Sequence, residues 1–65
     1  MTPETHREML TELDRAVAGA RRIKTPDQRS LIARIAVRLR LFGTQAPITN
    51  ADAHNLETIA REVAV

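Results

Sequence analysis

Residues 26 to 42, with the sequence PDQRSLIARIAVRLRLF, set the architecture of the chain because they have the pattern of one long helix with defined ends. Thr25 precedes Pro26, so the threonine hydroxyl can accept a hydrogen bond from a free amide of the first turn. Proline is favoured at the first helical position, where its missing N–H has no partner to lose. Gly43 follows Phe42 and can adopt the positive φ that closes a helix. We therefore predict a central helix over residues 26–42.

This helix carries two apolar faces when its residues are placed at 100° per step. The wider face is the predicted core face, and its residues are Leu31, Ile32, Ile35, Leu39 and Phe42. The second face, which we call the outer stripe, contains Ala33, Val37 and Leu41 at intervals of one turn. Arginines fill both gaps between the faces, Arg34 and Arg38 on one side and Arg29 and Arg40 on the other.

The outer stripe has two interpretations. Single exposed apolar residues are common on soluble proteins, and long arginine stems can cover apolar surface. However, the stripe is regular over three turns, and a small helical monomer has no internal use for it. We therefore predict that it forms a second interface.

The first helix should begin near Pro3, where Thr2 repeats the Thr-Pro opening. Its apolar seam alternates steps of four and three, through Met9, Leu13, Ala16, Ala20 and Ile23. This spacing predicts a helix over about 3–23, and small residues around Gly19 would let another helix approach closely. Because only a few residues connect it to the central helix, the two should form an antiparallel hairpin.

A third helix is predicted over about 50–64, capped by Thr49 or Asn50, with an apolar seam of Leu56, Ile59, Ala60 and Val63. No alternating strand pattern occurs. The fold class is therefore all-α, a small three-helix domain made of an antiparallel helical hairpin plus a third C-terminal helix. A chain of 65 residues forms one domain of marginal stability, and it has no cysteine to staple it. We therefore expect a homodimer.

Charge is strongly segregated along the chain. Residues 1–14 carry one basic and four acidic side chains, residues 15–40 carry eight basic and one acidic, and residues 41–65 carry one basic and three acidic. The basic middle could face nucleic acid, an acidic protein partner, or the acidic helices of the chain itself. Composition alone leaves these alternatives open.

Catalysis is not expected, because the candidate groups are few and scattered. They are Ser30, His6, His54 and isolated carboxylates, with no glycine-rich phosphate loop and no spacing typical of a metal site. We therefore predict a non-enzymatic protein with no catalytic residue, no metal, no cofactor and no small-molecule substrate. The polar start of the chain and the lack of an 18-residue apolar run predict a cytoplasmic protein without a membrane role.

The function we predict from these features is regulation or inhibition by binding another protein through the exposed face of the central helix. Such small proteins suit bacteria or phages, and nine arginines against one lysine indicate a GC-rich genome. Val37 and Leu41 would be the apolar anchors, and the charged contacts would come from Arg34, Arg38 and Arg40.

The alternative is a basic nucleic-acid-binding protein that contacts phosphates through Arg21, Arg22, Lys24, Arg29, Arg34 and Arg38. A helix-turn-helix reader is disfavoured, since the connection over residues 43–49 is too long and the third helix is acidic. Base stacking is also disfavoured, because the one aromatic ring, Phe42, is assigned to the core face. The sequence does not identify the partner, nor does it separate self-association from binding of a foreign protein.

Overall fold

The computed structural model describes residues 1–63 and contains three α-helices. Helix α1 spans Pro3–Ala18, α2 spans Pro26–Phe42 and α3 spans Asn50–Val63. Short 3₁₀ turns follow α1 at Ala20–Arg22 and α2 at Gly43–Gln45. The described part of the chain contains no strand, so the predicted all-α class is confirmed. The predicted end of the third helix at residue 64 lies outside the described residues.

All three helices begin with the same threonine cap. In each case the threonine hydroxyl accepts a hydrogen bond from the backbone N–H three residues later, at 3.1 Å for Thr2, 3.3 Å for Thr25 and 3.1 Å for Thr49. This bond satisfies one of the free amides of the first turn. The predicted caps are therefore present, and Thr49 rather than Asn50 caps α3.

Helix α1 ends at Ala18, so its predicted extension to residue 23 is wrong. The Gly19 N–H still bonds the Arg15 carbonyl at 3.0 Å, but the chain then turns through a 3₁₀ segment. This turn leaves Ala20 exposed, although Ile23 is buried as predicted. The turn lies against the end of α3: a Cβ added at Gly19 would lie 2.6 Å from the Val63 Cβ, and Arg22 within the turn donates to the Val63 carbonyl at 3.0 Å. The end of α3 therefore occupies the space beside the end of α1.

Helices α1 and α3 lie side by side and run in the same direction. The groove between them is bordered by Thr5 and Asn50 near one end and by Arg15 and Arg61 near the other. Helix α2 runs antiparallel to both, since Arg38 in its second half lies near Asp52 at the start of α3. The predicted antiparallel hairpin is present, but the closest helix packing is between α1 and α3.

The core lies between the three helices and closes at one end through the loop after α2. Ile35 of α2 and Leu56 of α3 are completely buried at its centre. Met9, Leu13 and Ala16 contribute the α1 side of this core. Gly43 has a φ of +57°, which turns the chain back so that the segment after it can cover this end.

Candidate functional site

The outer stripe lies exposed on the side of α2 away from the core. Val37 is 55% exposed and Leu41 is 68% exposed, while Ala33 between the arginines is also exposed. Burial is confined to the opposite face, at Leu31, Ile32, Ile35 and Leu39. The two apolar faces predicted for α2 are therefore present, and three consecutive turns of the helix carry an unburied apolar residue.

Phe42 is 53% exposed, so its predicted place on the core face is wrong. It is the last residue of α2, where the backbone already departs from ideal helix geometry with a φ of −116°. The chain then turns at Gly43, and Ala46 is buried while Ile48 packs against the core. These residues fill the end of the core that Phe42 would have closed. An aromatic ring is therefore accessible at the surface, contrary to the prediction.

Two of the arginines assigned to a partner contact the chain itself. The guanidinium groups of Arg34 and Arg38 lie 3.6 and 3.7 Å from the carboxylate oxygens of Asp52. Arg38 also donates a hydrogen bond to the Pro47 carbonyl at 3.3 Å. These contacts link α2 to the start of α3. The sequence analysis considered that the basic residues 15–40 could face the acidic helices of the chain itself, but it did not identify Asp52 as the partner of Arg34 and Arg38.

Arg40 lies on the other flank of the outer stripe and is exposed. Within residues 1–63 no hydrogen bond or ion pair engages its guanidinium group. An exposed guanidinium keeps five N–H donors available for an acceptor. Arg40 is therefore the charged residue of the predicted set that stays most available to a partner.

The residues assigned to nucleic acid divide into two groups. Arg22 donates to the Val63 carbonyl at 3.0 Å, at the end of α3, and Arg29 donates to the Ile23 carbonyl at 3.3 Å. Arg34 and Arg38 contact Asp52, as described above. Arg21 and Lys24 are exposed at the α1–α2 connection. Four of the six predicted phosphate contacts therefore also have a structural role in the chain.

The opposite side of the molecule brings glutamates of α1 and α3 together, with Glu57 ion-paired to Arg61 at 2.8 Å. A shallow groove between α1 and α3 is lined by Glu8, Glu12 and Glu57. Burial raises the pKa of Glu12, the neighbouring carboxylates of Glu57 and Glu8 raise it further, and Arg15 and Arg61 oppose the shift. The approach of Glu12 to Glu57 was not predicted from the sequence, because only the parallel packing of α1 and α3 brings them together.

The candidate catalytic groups stay apart. Ser30 and His54 are exposed on different helices, and His6 is half-buried on α1. Across the described chain, no group of three His, Asp or Glu side chains is placed to hold a metal ion. None of the described helices combines the length and the hydrophobicity needed to cross a bilayer.

Comparison with known proteins adds no family to this description. No protein-family model matches the chain, and no curated protein or solved structure is significantly similar to it. Any functional assignment therefore depends on the surface of the molecule alone.

Proposed function

We propose that this chain is a small non-enzymatic regulatory or inhibitory protein that binds another protein through the outer stripe of α2. One observation carries the proposal, which is the exposure of Val37 and Leu41 one turn apart on the side of α2 away from the core. Exposed apolar residues that align on one rigid element mark interaction surfaces more often than scattered ones do. Phe42 adds a third large apolar side chain at the end of the same helix.

The matched control for this proposal lies on α1. Val17 is 57% exposed and Leu10 is 38% exposed, so α1 also offers one exposed valine and one exposed leucine. The α2 double variant carries Val37→Gln and Leu41→Gln, and the α1 double variant carries Leu10→Gln and Val17→Gln. Both variants therefore replace one valine and one leucine by glutamine, but on different helices. Glutamine is a good helix former, so both variants should keep the fold.

The test uses the wild-type chain and both double variants as baits in extracts of the source cells. We expect a protein whose recovery falls about tenfold or more with the α2 variant and stays unchanged with the α1 variant. That protein is then purified and its complex with the wild-type chain is measured by calorimetry. Equal recovery of every partner by both variants would overturn the proposal.

Binding of nucleic acid has weaker support than binding of protein. Arg22, Arg29, Arg34 and Arg38 all contact the chain itself. A phosphate backbone would also leave Val37 and Leu41 without an apolar contact. The alternative predicts that the chain binds a double-stranded oligonucleotide with an affinity that falls steeply as salt is raised. The double substitution Arg34→Gln with Arg38→Gln should lower this affinity, and the α2 double variant should leave it unchanged.

Self-association stays a prediction, and the solution mass tests it. Sedimentation or light scattering over a concentration series gives the oligomeric state of the wild-type chain and of both double variants. A dimer that only the α2 variant dissociates would mean that a second copy covers the outer stripe. A dimer that only the α1 variant dissociates would leave that stripe available to a foreign protein.

A further inference from the structure

The flanks of the outer stripe carry four arginines and one acidic residue of α2, Asp27, which lies in the first turn of the helix near Arg34. Arg34 and Arg38 lie on one side of Val37 and Leu41, and Arg40 lies with Arg29 on the other. Asp52 is the acidic group that faces this surface from the neighbouring helix, and two arginines already share it. The surface around the stripe is therefore predominantly basic.

We infer, on the basis of the proposed function, that the segment which covers this surface is an acidic amphipathic helix of a partner protein. Its apolar seam would lie along Val37 and Leu41, and its glutamates or aspartates would face the arginines on both flanks. An acidic helix specifies the chemistry of the partner, which the proposed function leaves open.

A helix is the conformation that fits the shape of the stripe. Its three residues are four positions apart, so they form a line of about 12 Å along the axis of α2. The smallest of them, Ala33, permits close approach of a second helix axis at one end. Strand addition is not possible on α2, because the backbone groups in the middle of a helix are already bonded within it. A polyproline segment would need a groove lined by several large aromatic side chains, and the chain has one phenylalanine, Phe42, and no tyrosine or tryptophan.

The arginine contacts leave room for partner carboxylates. Arg34 and Arg38 approach Asp52 at 3.6 and 3.7 Å, which is longer than a good charge-assisted hydrogen bond. The single carboxylate of Asp52 cannot accept from all the donors of two guanidinium groups, because each guanidinium has five N–H groups. Arg40 is engaged by no group within residues 1–63. Acidic residues on a partner would therefore find unused donors on both sides of the stripe.

The α2 helix of a second copy fits the surface less well. Pairing α2 with α2 would bring the basic flanks of both copies together, and like charges across an interface oppose association. The groove of Glu8, Glu12 and Glu57 between α1 and α3 is acidic in part, since Glu57 is paired with Arg61, and its neighbouring apolar residues Met9 and Ala60 are buried. Helix α1 of a second copy does expose Leu10 and Val17 beside acidic residues, so a dimer that pairs α2 with α1 should be dissociated by both double variants, and the solution mass tests this.

Three synthetic helical peptides of about 20 residues test the inference, since this length exceeds the stripe and supports a helix. All three carry the same leucine and alanine seam, and their flanks are glutamate, glutamine or lysine. Binding is measured by calorimetry, and the contact surface by amide chemical shifts of the labelled wild-type chain. We expect the glutamate peptide to bind about tenfold more tightly than the glutamine peptide, and the lysine peptide to bind weakest.

The same titrations include the two double variants. The glutamate peptide should lose about tenfold in affinity with Val37→Gln and Leu41→Gln, and should be unaffected by Leu10→Gln and Val17→Gln. The amide chemical shifts of the labelled wild-type chain that change on addition of the glutamate peptide should centre on residues 33–42. Raising the salt from about 50 to about 500 mM should remove most of the preference for glutamate over glutamine.

The outcomes separate this inference from the proposed function. If glutamine and glutamate peptides bind α2 equally well, the outer stripe binds helices but the acidic partner is wrong. If no peptide shifts residues 33–42, the inference fails, and the extract experiment decides the proposed function independently. Two further results would overturn the inference. One is a wild-type dimer that is absent in the α2 double variant. The other is an oligonucleotide that binds more tightly than the glutamate peptide and displaces it.

Discussion

Gly19 and Gly43 are the two glycines of the chain, and they meet different physical requirements. Gly43 has a φ of +57°, and an added Cβ there would meet only open space, so its role is conformational. Gly19 has a φ of −97°, which any residue can adopt, so its role is steric. The absence of a side chain at Gly19 lets the end of α3 approach the end of α1.

Gly19→Ala should therefore destabilise the domain. The new Cβ would lie 2.6 Å from both the Val63 Cβ and its Cγ2, and no flexible side chain can move aside. Crowding of this kind costs about 1–3 kcal/mol in the free energy of unfolding. Urea unfolding followed by circular dichroism measures the loss, and amide spectra should show shifts over the last turn of α3.

Gly43→Ala is the control for that variant. It should also lower stability, by about 1–3 kcal/mol, because the φ of +57° and ψ of −128° at Gly43 lie outside the regions that alanine adopts without strain. The amides at the end of α3 should stay unchanged, since nothing lies within 4 Å of the added Cβ. A neutral Gly19→Ala variant with an undisturbed α3 would show that the two helix ends are not in contact.

Glu12 links the stability of the domain to pH. Burial and the charges of Glu57 and Glu8 raise the pKa of Glu12 in the folded chain. The folded state then binds this proton more tightly than the unfolded state, so protonation favours folding. The contribution of Glu12 to the free energy of unfolding should be fully retained below the pKa of an unfolded glutamate, about 4.3, and decline as pH rises toward the raised value.

Glu12→Gln should remove this part of the pH dependence and stabilise the domain at pH 7 by up to about 0.5 kcal/mol, because Glu12 is partly exposed. Thermal unfolding measured between acidic and neutral pH gives the dependence of stability on pH for the wild-type chain and for Glu12→Gln. Titration of the labelled Glu12 carboxyl carbon gives its pKa directly. A midpoint at or below the value of an unfolded glutamate would contradict the assignment.

At the scale of elements, each helix combines a strong local start with a tertiary contact at its other end or on its side. The threonine caps need only residues within one turn, which is why they follow from sequence. The end of α3 instead receives a hydrogen bond from Arg22, which lies 41 positions earlier. The start of α3 is linked to α2 through Asp52, which also lies in the favourable first turn of the helix.

Asp52→Asn should weaken the packing of α2 against α3. The substitution removes the carboxylate shared by Arg34 and Arg38. Because the side chains of Arg34 and Arg38 are 50% and 35% exposed, solvent screens these ion pairs, and we expect a loss of about 0.5–1.5 kcal/mol at low salt and less at high salt. Urea unfolding at two salt concentrations measures the difference.

Asp27→Asn is the matched control, since Asp27 occupies the first turn of α2 after a threonine cap. No ion pair involves Asp27 in the described structure, so its substitution should lose only the interaction with the helix dipole. Equal losses in the two variants would mean that the Asp52 ion pairs contribute nothing to stability.

At the scale of the whole molecule, two properties matter, the small core and the uneven surface charge. Ile35 and Leu56 are the largest completely buried side chains of the described structure. The surface has a mainly basic side along α2 with unburied apolar residues, and a side between α1 and α3 where glutamates and arginines lie together. An interface on α2 can therefore be altered without touching the core.

Ile35→Ala should bring the domain close to unfolding. Truncating a buried isoleucine costs about 2–5 kcal/mol, and a domain of this size has only about 3–10 kcal/mol in total. Val37→Ala, two residues later on the exposed side, should change stability by less than about 0.5 kcal/mol. Circular dichroism melting compares the two, and similar melting temperatures would mean that the faces of α2 are wrongly assigned.

Local sequence was enough to define the three helices, the start of each, and the two faces of α2, because caps and apolar periodicity act within one or two turns. Val37 and Leu41 could be placed on the outside for that reason. Gly19 was foreseen as a point of close approach, but periodicity carried the predicted first helix past it. No local pattern indicated that α1 would stop there.

Tertiary packing alone sets which helices lie side by side and which residues fill each end of the core. Phe42 has core periodicity but is exposed, because the backbone leaves helix geometry at Phe42 and turns at Gly43, and Ala46 and Ile48 pack into the core instead. Asp52 meets Arg34 and Arg38, and Glu12 meets Glu57, only because α3 lies antiparallel to α2 and parallel to α1. These contacts join residues far apart in the chain, so no local pattern of side chains encodes them.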